Sequence, residues 1–408
     1  MKYTDEFIKD LPKTDLHLHL DGSLRLETLI EAAKKNNIEL PSFTKEGLKE
    51  LVFKENYNNL GEYLNGFQYT CNVLRDLETL ERSSYELAID NQNEGVNYIE
   101  VRFAPQLLID EDSNLQFENI IEAVNNGLER AAKEYNNSKK VISDGYPPFN
   151  YGIICCAMRM FGPKGFSPYY SNIFETLKYS SNMDIIKQAS MEMVKAAIGL
   201  RDQKNIPIVG IDLAGQEEGY PAHKFKEAYA YAHTHFMHKT VHAGEAYGAE
   251  SIFEAITQCH ADRIGHGYAL FMPDMIRDKK ITDKEKFIKD LASFMADKRT
   301  VMEVCLTSNL QTNPAITNIK THKFKDMLEN RMATTICTDN RLVSNTTISK
   351  ELKLATDNFD IPLKRLKDIL AYGFKKSFFH GSYVEKRKYA KTNMQYFDKI
   401  VSKHGLEH

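Results

Sequence analysis

From Asp15 to Leu20 polar and apolar residues alternate, Asp-Leu-His-Leu-His-Leu. A period of two predicts a strand, with His17 and His19 on one face and Leu16, Leu18 and Leu20 on the other. Asp21-Gly22 then turns the chain. The pattern changes to a helical one over residues 26–36, and residues 43–80 read as largely helical. An aromatic stripe runs through that second stretch at Tyr57, Tyr63, Phe67 and Tyr69. Such stripes pack in cores, and beside a site they line an apolar pocket. Residues 81–93 are helical up to Glu94-Gly95, and a strand at 97–104 is ended by Pro105.

From there strands and helices alternate. Strands are predicted at 151–158, 206–214, 238–242, 263–266, 300–306 and 334–338. Helices are predicted at 117–134, 185–203, 222–235, 249–259, 284–297 and 325–330, and the chain from 349 onward is helical with Lys-rich faces. Residues 135–150 and 161–170 read as irregular. Several strands are continuous apolar runs, as in a parallel sheet covered on both faces. Eight such units predict an α/β fold, a (β/α)8 TIM barrel with additional helices and insertions. An open doubly wound sheet is the alternative, but no Gly-x-Gly-x-x-Gly follows the first strand to support a dinucleotide-binding version. The reading is one domain over residues 1–405, with Leu406-Glu407-His408 set aside as a tag remnant.

Composition adds mainly exclusions. The 408 residues carry a net charge of -3, which gives no electrostatic reason to expect nucleic acid or an anionic membrane as partner. The six cysteines form no Cys-x-x-Cys pair, and four lie in apolar β-like runs, so reduced, mostly buried thiols in a cytoplasmic protein are expected. The opening residues hold no apolar stretch of signal-peptide length, and no later stretch is long enough to span a bilayer.

The chemistry-bearing residues fall at the predicted strand ends, where barrel enzymes place their sites. Strand 1 supplies His17 and His19, strand 5 supplies His242 and then Glu245, strand 6 supplies His266, and strand 8 is followed by Asp339-Asn340. Taken singly, His242 suits a hydrogen-bonded core position, Asp339 a helix cap and Glu245 a solvated loop. Together, three imidazoles and a carboxylate make a first shell for Zn²⁺ with a position left for water. His233-Thr-His235 repeats the His-x-His spacing, with His238 close behind. It begins on a helical pattern, where residues two apart do not share a face, and reads as a surface cluster.

Read in order, His17-Leu-His19-Leu-Asp21-Gly22, Gly210-Ile-Asp-Leu-Ala-Gly215, Val241-His242-Ala-Gly-Glu245, Arg263-Ile-Gly-His266-Gly and Thr338-Asp339 resemble the adenosine deaminase family of the amidohydrolase superfamily. The resemblance covers the whole barrel. It implies one zinc ion held by His17, His19, His242 and Asp339, lowering the pKa of a bound water, with His266 orienting that water and taking its proton. It also implies that Glu245, protonated, serves purine N1, that the Gly215 N–H donates to N3, and that Asp21 accepts from ribose hydroxyls. The family commonly carries a second Asp after the metal-binding one. Here the residue is Asn340, whose amide can still donate to N7. No lysine at 208–215 could become a bridging carbamate, so a single metal is expected. The implied activity is deamination of adenosine and 2′-deoxyadenosine to inosine and ammonia in purine salvage. Alternatives are a related purine (adenine, AMP or a 5′-modified adenosine), or an idle nucleoside-binding barrel. A cytidine-deaminase-type signature is missing.

Overall fold

Eight strands, all parallel to their neighbours, run in chain order around one sheet: β1 (Lys13–His19), β2 (Val96–Phe103), β3 (Asn150–Met158), β4 (Ile208–Ala214), β5 (His238–Ala243), β6 (Arg263–His266), β7 (Val301–Val304) and β8 (Thr334–Ile336). The structure is a computed structural model that describes residues 2–110, 113–165, 167–313, 316 and 318–406. A bridge between Leu18 and Asp339 closes the ring between β1 and the segment after β8. It is made by two 2.8 Å bonds, His19 N–H to the Asp339 carbonyl and Asp339 N–H to the His17 carbonyl. The closure therefore lies among three of the residues singled out above. The fold is a (β/α)8 TIM barrel.

Helices cover the outside of the barrel because their apolar residues recur at helical spacing. Helix Phe117–Asn136 buries Phe117, Ile120, Ile121, Val124, Leu128 and Ala131, and Leu26–Lys35 buries Leu26, Leu29, Ile30 and Ala33. The long helix Asn182–Lys204 starts on a Ser181 cap, and Tyr383–Lys403 starts on a Ser382/Glu385 capping box.

The inside of the barrel is charged. Arg102 on β2 donates to Asp212 on β4 (2.9 Å) and to Glu303 on β7 (3.0 Å). Arg263 on β6 donates to Glu303 (2.6 Å) and pairs with Glu100 on β2. Strands that are not neighbours can touch only across the interior, so this network fills the barrel axis below its C-terminal mouth. Every member is buried, and each charge meets an opposite one, as burial demands.

Departures from the expected elements are local. Residues 43–80 break into Lys45–Leu51, Leu60–Leu64, Phe67–Val73 and the start of Leu77–Gln92, because Thr44, Asn59 and Asp76 each cap a new helix. Residues 135–150 contain one short helical turn, Lys139–Ile142, and residues 161–170 end in helix Pro168–Thr176. The expected strand at 300–306 stops at Val304 and gives way to helix Leu306–Thr312. Of the residues read as a tag remnant, Leu406 packs partly against the core, while 407 and 408 lie outside the described residues.

Candidate active site

The period of two in β1 and the parallel register bring His17, His19, His242 and Asp339 together, all buried, with one ligand atom from each within 4.8 Å of the others. His19 Nε2 lies 3.3 Å from His242 Nε2, and Asp339 Oδ1 lies 3.4 Å from His17 Nε2 and 3.5 Å from His19 Nε2. A tetrahedral ion with bonds of about 2.0–2.1 Å needs ligand atoms about 3.3–3.4 Å apart, close to the spacing of these three pairs. His17 Nε2 is buried with no hydrogen-bond partner, a costly arrangement unless its lone pair meets a cation. The donor set thus fits a divalent metal.

The far nitrogens of two rings are tied to carboxylates. His17 Nδ1 stands 2.8 Å from Glu303, and His242 Nδ1 stands 3.0 Å from Asp212. Each Nδ1–H donates outward and each Nε2 faces the cluster, as metal-ligating imidazoles require. Burial raises the cost of both carboxylate charges. His242 and Arg102 outweigh it at Asp212, as Arg102 and Arg263 do at Glu303, and both carboxyls are held below their ordinary range. Ser308 donates to Asp339 Oδ2 at 2.6 Å, so the fourth member is oriented too.

His266 and Glu245 stand beside the cluster without belonging to it. Glu245 Oε1 lies 3.6 Å from His266 Nε2. Burial pushes the Glu245 carboxyl up to about 7, against the opposing His242 and with help from Glu217 and Asp339, so it holds a proton near neutrality. Burial lowers His266 to about 4, leaving a neutral ring able to accept one. The Asn309 amide bridges His266 Nδ1 (3.0 Å) and His322 Nε2 (3.1 Å). As placed, its Nδ2 donates to His266 Nδ1 and its Oδ1 accepts from His322 Nε2, so the amide's orientation sets the tautomers of both rings together; the amide turned over would leave His266 Nε2 as the free base.

A pocket of about 370 Å³ opens over this group, walled by Leu60, Leu64, Phe67, Leu107, Met158 and Phe161, so of the aromatic stripe Phe67 and Tyr63 line a pocket, while Tyr57 and Tyr69 are not among its lining residues. Asp21, Gly215 and Asn340 also line it. Asp21 Oδ1 is a buried acceptor with no hydrogen-bond partner, 3.8 Å from His19 Nδ1, and burial raises its carboxyl to about 7. Gly215 has φ of +93°, and a Cβ there would stand 3.2 Å from Met158 Cε. Asn340 gives one Nδ2 hydrogen to the Tyr63 hydroxyl (2.8 Å), and the second remains on the same nitrogen. A Cβ on Gly22 would fall 1.8 Å from Asn340 Oδ1, which explains the glycine after Asp21.

Sequence reasoning did not assign roles to Arg102, Asp212, Glu303, Ser308, Asn309 or Glu217. For the first three a signal existed: charges inside apolar parallel strands must be paired to be buried. The decoy histidines stay apart, with His233 and His238 exposed and His238 3.6 Å from Asp262. Among the described residues, no helix is long and apolar enough to cross a membrane, and all six cysteines are buried and free.

A closed parallel barrel with three imidazoles and a carboxylate at its C-terminal mouth, beside a carboxyl raised and an imidazole lowered by burial, defines a metal-dependent hydrolase of the TIM-barrel class. The family model described as adenosine deaminase matches residues 12–164 and 176–390. An adenosine deaminase of Clostridium botulinum (strain Kyoto) is 36% identical over 348 residues, 85% of this chain and 87% of its own. A probable adenosine deaminase of Dictyostelium discoideum is 32% identical over 376 residues, and this chain spans 92% of itself but 41% of that protein. Among solved structures, a zinc-bound amidohydrolase of Burkholderia ambifaria superposes with a TM-score of 0.77 at 18% identity, covering 99% of this chain and 96% of its own. The N6-methyl-AMP deaminase of Arabidopsis thaliana gives 0.71 at 23%, with 97% and 98% covered. These two share the fold. The chain belongs to the adenosine deaminase family and is a hydrolytic deaminase acting on a carbon–nitrogen bond.

Proposed function

We propose that this protein hydrolyses adenosine, and 2′-deoxyadenosine, to inosine and ammonia, with one zinc ion held by His17, His19, His242 and Asp339. The observation that carries the reading is the 3.6 Å approach of Glu245 to His266 at the edge of the four-ligand cluster, on the floor of a largely apolar pocket. A structural metal site has no use for that pair.

When bound, the ion supplies Lewis acidity, bringing the pKa of a coordinated water toward ~7. His266 accepts the proton of the attacking water at Nε2 and passes it toward the leaving amine. Glu245 donates its proton to purine N1 as C6 becomes tetrahedral, a task that suits a carboxyl raised by burial. The Gly215 N–H faces N3, Asn340 serves N7, and the unpaired Asp21 Oδ1 accepts from the ribose hydroxyls. Leu60, Leu64 and Phe67 exclude water from the purine.

A nucleoside is favoured over a nucleotide because, among the described residues, the wall holds a single Lys or Arg, the exposed Lys164, and because the Asp21 carboxyl in the wall suits ribose hydroxyls and not a phosphate. Lys164, inside Gly162-Pro-Lys-Gly165, is the observation that would favour a 5′-phosphorylated substrate instead. The buried free thiols agree with a cytoplasmic protein.

The test follows ammonia release and ultraviolet absorbance with adenosine, adenine, AMP and N6-methyl-AMP. Adenosine is expected to lead, and Glu245→Gln to keep its metal while losing about 10²–10⁴ in rate. Faster turnover of either nucleotide would move the assignment to Lys164 and a phosphate. Metal retained with no turnover of any purine would leave an idle barrel.

A further inference from the structure

Glu217 follows β4 by three residues and is buried, 1% exposed. Its Oε2 accepts from the backbone N–H groups of Glu245 (3.0 Å), Ala246 (2.7 Å) and Tyr247 (3.2 Å), and its Oε1 from that of Gly244 (3.1 Å) and from the Ser251 hydroxyl. Among the described residues no Lys, Arg or His forms an ion pair with it. Four successive backbone N–H groups turned toward one carboxylate form an anion-binding nest, here filled from within the chain. A buried carboxylate without a cation is expensive unless donors surround it, and this one has five.

These donors belong to the loop that carries Glu245 out of β5. The Tyr268 hydroxyl donates to the Glu245 carbonyl at 2.5 Å, so the peptide units on both sides of Glu245 are held. The Gly219 N–H donates to the Tyr247 hydroxyl at 2.8 Å, a second tie between the loops after β4 and β5. Glu245 has little else to fix its place, since its own carboxyl stands 3.6 Å from the His266 ring.

We infer that Glu217 is a positioning residue for the reaction: by gathering the N–H groups of residues 244–247 it fixes the backbone from which Glu245 reaches the purine. The inference rests on the reading of Glu245 as the proton donor. Proton transfer needs donor and acceptor within hydrogen-bond reach, and displacement of about 1 Å can cost about 10²-fold in rate. The cost of losing Glu217 should therefore fall on kcat and be felt only while Glu245 can donate. In Glu217→Gln the shape is kept, but an NH2 group is turned against backbone donors. Glu217→Asp keeps the charge and withdraws it by one methylene.

The experiment compares wild type, Glu217→Gln, Glu217→Asp, Glu245→Gln and the Glu217→Gln/Glu245→Gln double variant, all metal-loaded. It records kcat, KM for adenosine, metal content, and amide hydrogen exchange at residues 244–247. Both Glu217 variants should keep the metal and a KM within about threefold, lose about 10–100-fold in kcat, and exchange the loop amides faster. The double variant should be no slower than Glu245→Gln alone. Unchanged kcat in either soluble Glu217 variant overturns the inference, as does a double variant slower by the product of the two single effects. Full activity in Glu245→Gln would instead overturn the reading of the acid, and that variant reports it separately.

Discussion

The two mouths of the barrel differ in a way that volume conceals. The larger hollow, about 1210 Å³, lies at the starts of β5, β6 and β7, between helices Leu363–Lys376 and Tyr383–Lys403. Its rim carries Lys298, Arg299, Lys375, Arg387, Lys388 and Lys391, all exposed to water. The smaller pocket, about 370 Å³, has His19, His242, His266, Glu245 and Asp339 beneath apolar walls. At one end the rim charges are solvated. At the other, groups that could ionise are desolvated and forced onto one another, which shifts their protonation and leaves lone pairs without partners. Convergence of buried polar atoms, and not the size of a cleft, separates the reactive end from the other.

The strongest way to break this contrast is to unbalance the buried charges that support it. Glu303→Ala removes the partner of His17, Arg102 and Arg263 together. Unpaired charges left inside cost about 3–5 kcal/mol, so chemical denaturation should show a loss of that order. The released His17 ring should also weaken metal binding by about 10–100-fold, which a competitive chelator titration measures. An unchanged midpoint would mean that the axial network does not hold the site.

A smaller effect is read from pH. Glu245 must carry its proton to donate it, and burial raises its carboxyl from the ordinary value to about 7. Because the protonated form is the active one, kcat should be sustained from pH 5 to about 7 and decline only as pH rises beyond. A rate already lost by pH 6 would place the group in the ordinary carboxylate range and deny it this role. The smallest effect belongs to the opposite mouth: Lys375→Glu with Lys391→Glu should leave kcat/KM for adenosine within about twofold. A larger change would show that the basic end takes part after all.

Much of this was legible in the chain. The alternation at 15–20 placed His17 and His19 on one face, and the β-α rhythm located the ends of strands where Glu245, His266 and Asp339 now stand. Helix Leu306–Thr312 was not legible, because Thr307, Ser308, Asn309, Thr312 and Asn313 are poor helix formers. The helix is held by what its residues reach, Ser308 to Asp339 and Asn309 to His266. Asp212 and Glu303 could have been flagged as charges within apolar strands. Glu217 left no trace in the sequence, since four of its five donors are backbone N–H groups 27 to 30 residues away, and such partners have no residue type.

The most direct measurement is diffraction from metal-loaded crystals at the zinc absorption edge, with the anomalous peak located against the protein. One ion per chain should lie about 2.0–2.1 Å from Nε2 of His17, His19 and His242 and from an Asp339 oxygen, and its removal should end deamination. A peak at His233, His235 and His238 instead, or full deamination by metal-free protein, would contradict the assignment.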